Sequence, residues 1–464
     1  MSAIYPQHIY GTFRKLKNYG ILILLSIYFG CSWIRWNRGE GLPSQALLID
    51  LQGRRAYLFG IEIWPDEVYY ITGMLILAAM GLFFITALFG RIWCGYACPH
   101  TVLVDLFRYV ELYFQGDRNE RLRLDAQSMT GDKMRKKLLT HSCWLLIAFS
   151  FAFGWVCYFY DAPTLIYDLM RLQVSSTATI WLLALTASTY LFAGYVRERM
   201  CMHMCPYGRF QSAMVDQNTY VVTYHNWRGE PRGNYNPSDT SLGDCIDCGK
   251  CVVVCPMGID IRDGLQMACI GCGLCVDACN TVMPKLGRLP DLIAYDSMTT
   301  TASRRGAEWA SMNFFRIKIL LFGFIFVTVS SIMAYSLAHK AVYNAIIERE
   351  RGPMFTITPD GAVRNTYNVK LLNRTHQDQI FKITVSGVDK PTIMLAEKGE
   401  YQEAALLAIP AGQEVATKLF IKSSASSIGQ KHATAVINIE PTDSSNFSYH
   451  TVLAKKTMFF TPDK

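Results

Sequence analysis

Charge is scarce in this chain: only 18% of its residues are Asp, Glu, Lys or Arg, against about 25% in soluble domains. Cysteine is absent after Cys279, so the C-terminal region is not a disulfide-stapled domain. There is no C-x-x-C-H haem attachment, no P-loop and no G-x-G-x-x-G fingerprint, and so no support for a tightly bound nicotinamide or flavin domain. No basic patch is interleaved with aromatics, so the net charge of +8 does not point to DNA or RNA.

The missing charges are missing locally. Five uncharged apolar runs have the length of a helical span: 18–34, 68–90, 142–160, 172–196 and 319–338. Lys and Arg are unevenly shared between the flanking loops. Residues 1–17 and 91–141 carry three and nine of them, and the insert 197–318 adds more, including Arg197, Arg199, Arg304, Arg305, Arg316 and Lys318. The alternate loops 35–67 and 161–171 carry four and one. The positive-inside bias then puts the N-terminus and the long insert in the cytoplasm and the region after the last span outside. The first run lacks a small-residue cleavage site and reads as an uncleaved helix.

What the chain does have is 15 cysteines, twelve of them in four tight groups on the expected inner side. Cys31, Cys143 and Cys157 sit within spans and read as small apolar residues. Residues 245–255 and 269–279 each follow C-x2-C-x2-C-x3-C, the run of two-cluster bacterial ferredoxins. Three closely spaced thiolates wrap one cubane while the fourth crosses to the other. Cys245, Cys248, Cys251 and Cys279 are therefore expected to hold one [4Fe–4S] cluster, and Cys269, Cys272, Cys275 and Cys255 the second. Gly249, Gly271 and Gly273 permit tight turns that aim N–H groups at sulfur. Pro256 follows the first run; Asn280 stands at the matching place in the second.

The other two groups repeat each other. Cys94-Gly-Tyr-Ala-Cys98-Pro99 follows the second span, and Cys201-Met202-His203-Met204-Cys205-Pro206 follows the fourth. Cysteines at i and i+4 on one helical face could chelate a soft metal or cycle between dithiol and disulfide. Thiolate and thioether donors favour Cu(I), and Met202, His203 and Met204 enrich the second pair. His141, at the start of the third span, is a weaker candidate for touching a haem or quinone.

After Lys340 the pattern changes to short β-rich segments, including 355–358, 367–372, 381–385, 416–421 and 434–439, separated by turn residues. Roughly seven strands suggest an immunoglobulin-like β-sandwich. The expected architecture is a polytopic α-helical membrane protein of five spans, with a two-cluster ferredoxin-like insert and a C-terminal Ig-like β-sandwich. Its parts are a cytoplasmic N-terminus (1–18), a four-span region (19–237), the ferredoxin-like domain (238–290), a linker (291–313), the fifth helix (314–338) and a periplasmic domain (339–464).

The paired C-x3-C-P elements, the eight-cysteine insert and the cysteine-free β-domain together resemble the CcoG/FixG/RdxA family of cytochrome oxidase accessory proteins, over nearly the whole chain. The resemblance implies an inner-membrane protein of Gram-negative bacteria linked to assembly of cbb3-type cytochrome c oxidase. It implies reduction of cytoplasmic Cu(II) to Cu(I), with copper as substrate, passed to a copper-exporting P-type ATPase. Cys94, Cys98, Cys201 and Cys205 would bind copper or relay electrons, and an unidentified cytoplasmic donor would supply them. Met-His-Met between Cys201 and Cys205 departs from the pattern. Two other functions fit the same motifs: a quinol dehydrogenase subunit and a redox-sensing assembly scaffold.

Overall fold

The computed structural model describes residues 4–39, 42–234, 241–302, 315–397, 399–423, 432–442 and 453–462. The expected boundary at 237/238, residues 303–313 of the linker, and Arg304 and Arg305 lie outside these described residues. The chain divides into two units, Met1–Ala334 and Tyr335–Lys464.

The first unit is helical. Its longer helices are α1 (Thr12–Gly30), α2 (Val68–Phe89), α3 (Ile92–Tyr96), α4 (Pro99–Gln115), α5 (Arg118–Ala126), α6 (Gly131–Val156), α7 (Ala162–Met170), α8 (Ser176–Leu191) and α9 (Pro206–Met214). Short α10 (Asn226–Gly229), α11 (Lys250–Val253), α12 (Leu274–Asn280) and α13 (Met298–Ala302) follow, and α14 (Ile317–Ala338) is the last helix. Side-chain caps start several of them. Thr130 accepts from Lys133 N at α6, Asp161 from Thr164 N at α7, and Ser175 from Ala178 N at α8.

Among the described residues four helices are long and apolar enough to cross a membrane: Pro65–Phe89, Gly131–Val156, Ser176–Val196 and Ile317–Ala338. In α14 only Ile319 is buried within the protein. Such a surface needs an apolar surrounding, and this is a membrane protein. Helix α1 differs from the expected span at 18–34. It begins at Thr12 and so includes Arg14, Lys15 and Lys17. It starts early because its first free N–H groups find an acceptor elsewhere: both Phe13 N and Arg14 N donate to the Asp277 carboxylate, at 3.2 and 2.8 Å.

Small residues let α6 and α8 pack closely. Ala152, Val156, Ala178 and Leu182 share one buried group with Cys157, Ala162 and Leu165. At the other end Trp144 of α6 stacks on Phe107 of α4, 5.0 Å between ring centroids. Strands β1 (Leu47–Asp50), β2 (Arg55–Leu58) and β3 (Ile61–Ile63) form an antiparallel sheet between α1 and α2. Strands β4 (Val221–Tyr224) and β5 (Ile293–Asp296) pair antiparallel and close the insert like the neck of a bag.

The second unit is a sandwich of two antiparallel sheets, and its alternating pattern was legible. The strands are β6 (Tyr343–Arg349), β7 (Thr356–Ile357), β8 (Val363–Asn373), β9 (Gln379–Ser386), β10 (Thr392–Leu395), β11 (Ala404–Ile409), β12 (Glu414–Ser423), β13 (His432–Pro441) and β14 (Leu453–Phe460). One sheet runs β10-β12-β8-β6 with β7 beside β8, and the other β11-β9-β13-β14. Every second residue points inward: Tyr367, Val369 and Leu371 from β8 meet Phe381 and Ile383 from β9 and Ile437 and Ile439 from β13. The buried Tyr367 hydroxyl donates to the Met458 carbonyl at 2.7 Å.

Candidate metal centre

Glycine shapes both cysteine loops of the insert. Gly249 (φ 65°) starts α11, and Gly273 (φ 70°), with Gly271 (φ 61°) two residues earlier, starts α12. These are left-handed conformations that side chains resist. They bend each loop back on itself, and Gly271 N donates to Cys269 Sγ at 3.5 Å. Cys251 lies in α11 and Cys275 and Cys279 in α12. The first helix ends at Val253, ahead of Cys255 and Pro256. In place of that proline, Asn280 exchanges two 2.8 Å hydrogen bonds with Asp291.

The eight thiols fall into two small cavities. Cys245, Cys248, Cys251 and Cys279 line one, with Lys250 and Arg262 at its wall. Cys255, Cys269, Cys272 and Cys275 line the other, which Cys251 also borders. The fourth cysteine of each run thus crosses to the other's cavity. Among the described residues no carboxylate or histidine lines either one. All-sulfur donors in an apolar shell suit iron–sulfur clusters and do not suit hard cations. Burial pushes the Cys251 thiol up to about 11 and those of Cys269 and Cys279 up to about 12, so these groups need a metal or nearby cations to ionise.

The C-x3-C-P elements depart from the expected single helical face. Cys94 lies in α3, but Cys98 (φ −64°, ψ 125°) caps α4. Cys201 lies in a π-helical turn, Met200–Met204, and Cys205 (φ −78°, ψ 111°) caps α9. The cause is proline: it disfavours helical geometry in the residue before it and favours starting a new helix. Each element therefore breaks between its two cysteines.

The two elements meet against the second cavity. Cys94 is buried in one apolar group with Ile270 and Cys272, and Cys201, Met202, Tyr207 and Cys255 pack on that group. The Cys94 thiol donates to Gln211 Oε1 at 3.0 Å, and Gln211 Nε2 donates to Thr86 Oγ1 at 3.1 Å. Burial pushes Cys94 up to about 11 against the pull of Arg91, with Cys98 and Cys205 adding to the rise. Cys201 is pushed up to about 12 by burial and then by Cys98 and Cys94. Cys94 and Cys201 thus each lie within electrostatic reach of the other three thiols. Met202 is half-buried, whereas His203 and Met204 are exposed. Among the described residues no three His, Cys, Asp or Glu groups are close enough together to hold a single metal ion.

Three residues that sequence reasoning did not assign to the site join these elements. Gly95 abuts the second loop so closely that a Cβ there would lie 2.8 Å from the Ile270 carbonyl oxygen and 3.1 Å from Cys272 Cα. The Tyr96 hydroxyl donates to the Cys272 carbonyl at 2.9 Å. Arg91 is buried, donates to the Met267 carbonyl and places Nη2 4.0 Å from Cys94 Sγ. Glu198 stands at the matching place in the second element, so the repeat gave no sign of Arg91. Nearby, Asp105 is buried with Lys17 at 2.9 Å and Arg14 at 3.5 Å, and Glu111 bridges Arg121 and Arg197. These pairings span too much sequence to be read from it.

Comparison with known proteins gives three matching family models. Residues 196–298 match a 4Fe-4S dicluster domain, residues 71–114 a 4Fe-4S binding domain, and residues 333–462 the IG-like fold at the C-terminus of FixG. The chain is 44% identical to Protein RdxA of Cereibacter sphaeroides, over 83% of this chain and 82% of that one. It is 42% identical to the nitrogen fixation protein FixG of Rhizobium meliloti, over 85% and 81%. A crystal structure of a FixG-related protein from Vibrio parahaemolyticus aligns with 26% of this chain and 97% of its own, at 16% identity and a TM-score of 0.22. Identity of this extent across both units shows that the chain belongs to the FixG/RdxA family, as an iron–sulfur electron-transfer protein of the membrane.

Proposed function

We propose that this chain reduces cytoplasmic Cu(II) to Cu(I) for the assembly of a cbb3-type cytochrome c oxidase. One observation carries the reading: Cys94 and Cys201, one from each C-x3-C-P element, pack against the ligand loop of the second four-cysteine cavity. When bound, the [4Fe–4S] clusters supply one-electron storage beside these thiols. The protein holds the chain of sites rigid: Gly95, Tyr96 and Arg91 fix the spacing between the second cavity and Cys94. A soluble cytoplasmic reductant gives one electron, Cu(II) held near Cys94, Cys98, Cys201 and Cys205 accepts it, and Cu(I) leaves for a P-type exporter. Soft donors there, Met202 and Met204 included, favour the reduced ion.

In this reading α1 is a fifth span. The N-terminus and insert face the cytoplasm of a Gram-negative inner membrane, and the β-sandwich lies in the periplasm. The Lys and Arg distribution supports that orientation. A second reading, quinol oxidation, draws on one feature: the Tyr190 hydroxyl lies 3.0 Å from His141 Nδ1, beside exposed Tyr195.

The test is a single anaerobic turnover. Protein reduced with dithionite and freed of excess is mixed with Cu(II), while cluster oxidation and chelator-trapped Cu(I) are followed together. Matched yields, lost in Cys201→Ser/Cys205→Ser with both ferredoxin-type clusters retained, are expected. Clusters that stay reduced, with no Cu(I), exclude the copper reading; oxidation by a menaquinone analogue instead favours the quinol one.

A further inference from the structure

The four C-x3-C-P cysteines share a geometry that copper handling alone does not call for. The two elements are offset by a constant 107 residues, since 201 − 94 and 205 − 98 are equal. Each presents one cysteine within a helical turn and one at the cap of a proline-led helix, with similar backbone angles at Cys98 and Cys205. The repeat thus supplies two equivalent thiol pairs. The fold turns them toward one another: Cys94 and Cys201 join the same apolar group, Cys94 bonds to Gln211 of the helix that Cys205 caps, and Gly208 of that helix lies against the Cys201 carbonyl and the Arg91 guanidinium.

The spacing between the pairs discriminates between ligands. A tetrahedral Zn site needs sulfurs about 2.3 Å from one centre, and no three candidate ligands among the described residues are that tight. The two ferredoxin-type sets are likewise too open for a single ion, yet each lines one cavity. The C-x3-C-P thiols follow the same pattern: Cys94 and Cys201 each feel the other three, yet no single-ion group forms among them. An independent sign comes from the 4Fe-4S binding model over 71–114. That segment contains only two cysteines, Cys94 and Cys98, and a four-cysteine site needs two more. Cys201 and Cys205 are the cysteines placed to complete it.

We propose that Cys94, Cys98, Cys201 and Cys205 form the ligand set of a third iron–sulfur cluster, built across the internal repeat and abutting the second ferredoxin-type site. Arg91 is its built-in counter-charge, buried between Cys94 and the Met267 carbonyl of the neighbouring loop. The site rests on the proposed function only in placing the electron exit at these thiols. Copper as substrate would then meet exposed His203 and Met204 beside the cluster.

The experiment is iron and acid-labile sulfide analysis of the full chain, purified anaerobically in detergent and reconstituted, with Mössbauer spectra. About twelve iron atoms per chain are expected, against about eight for two cubanes. Cys94→Ser/Cys201→Ser should fall to about eight while keeping the spectra of the other two clusters. About eight iron atoms in the wild type would overturn the proposal whatever the variant does, as would a variant that keeps the wild-type count. Twelve iron atoms without Cu(II) reduction would uphold the third cluster and defeat the copper reading, so the two fail separately.

Discussion

Gly95 is a residue where the two cysteine systems abut, and it has no room for a methyl group. In Gly95→Ala the new Cβ meets backbone at 2.8–3.1 Å, which cannot rotate away. The loop at 270–272 has to move, at a cost of about 1–3 kcal/mol. The expected outcome is a shifted EPR spectrum for the cluster at Cys269, Cys272 and Cys275, with the cluster at Cys245 and Cys248 unchanged; identical spectra would refute the close approach. Lys17 offers a second test. Burial opposes ionisation of Asp105, yet Lys17, then Arg14 and Arg108, hold its carboxyl below the usual range. A depressed carboxylate stabilises the fold above its unfolded pKa, near 3.9, and that stability is lost as pH falls through the lower folded value. Lys17→Met leaves the carboxylate buried without its nearest partner, so a loss of about 3–5 kcal/mol is expected at neutral pH. The deficit should shrink toward acid as Asp105 becomes protonated, and Asp105→Asn in the same chain should recover part of it. Thermal unfolding of both variants across pH decides.

Helix boundaries followed local chemistry where the sequence carried it and distant chemistry where it did not. Helices α2 and α14 lie close to the runs read at 68–90 and 319–338, because an uncharged apolar run defines its own span. The break inside each C-x3-C-P element was equally present in Pro99 and Pro206, but reading the cysteines as one helical face overlooked it. The early start of α1 was not legible, because its cap, Asp277, comes from 264 residues away. The charge network around Asp105 escaped for the same reason, since only the folded chain brings its partners together, whereas the hairpins at 47–63 join neighbours in sequence and were overlooked. The two cavities, by contrast, follow from C-x2-C-x2-C-x3-C alone, since that spacing leaves the fourth cysteine pointing away from its own loop. Asp277→Ala should cost α1 about 1 kcal/mol at its first turn. Amide exchange at Phe13 and Arg14 should then rise by roughly fivefold, with α2 and α6 unaffected; unchanged exchange would show that water replaces the cap.

The whole molecule is two units with different means of stability. Residues 335–464 bury their own apolar core between two sheets and contain no cysteine. Expressed alone, this segment should give a β-type far-ultraviolet spectrum and one cooperative unfolding transition; a disordered spectrum would mean that it depends on the rest of the chain. The first unit carries the apolar helices long enough to cross a membrane and the two four-cysteine cavities of the insert. Asp277 links the insert to α1. It sits in α12 between Cys275, which lines one cavity, and Cys279, which lines the other, and it holds the start of α1. On a ribosome moving at about 5–20 residues per second, the cap is made some tens of seconds after the helix that it receives. Helix α1 therefore waits with its leading turn unfastened until the segment that carries Asp277 has been made and has folded against it.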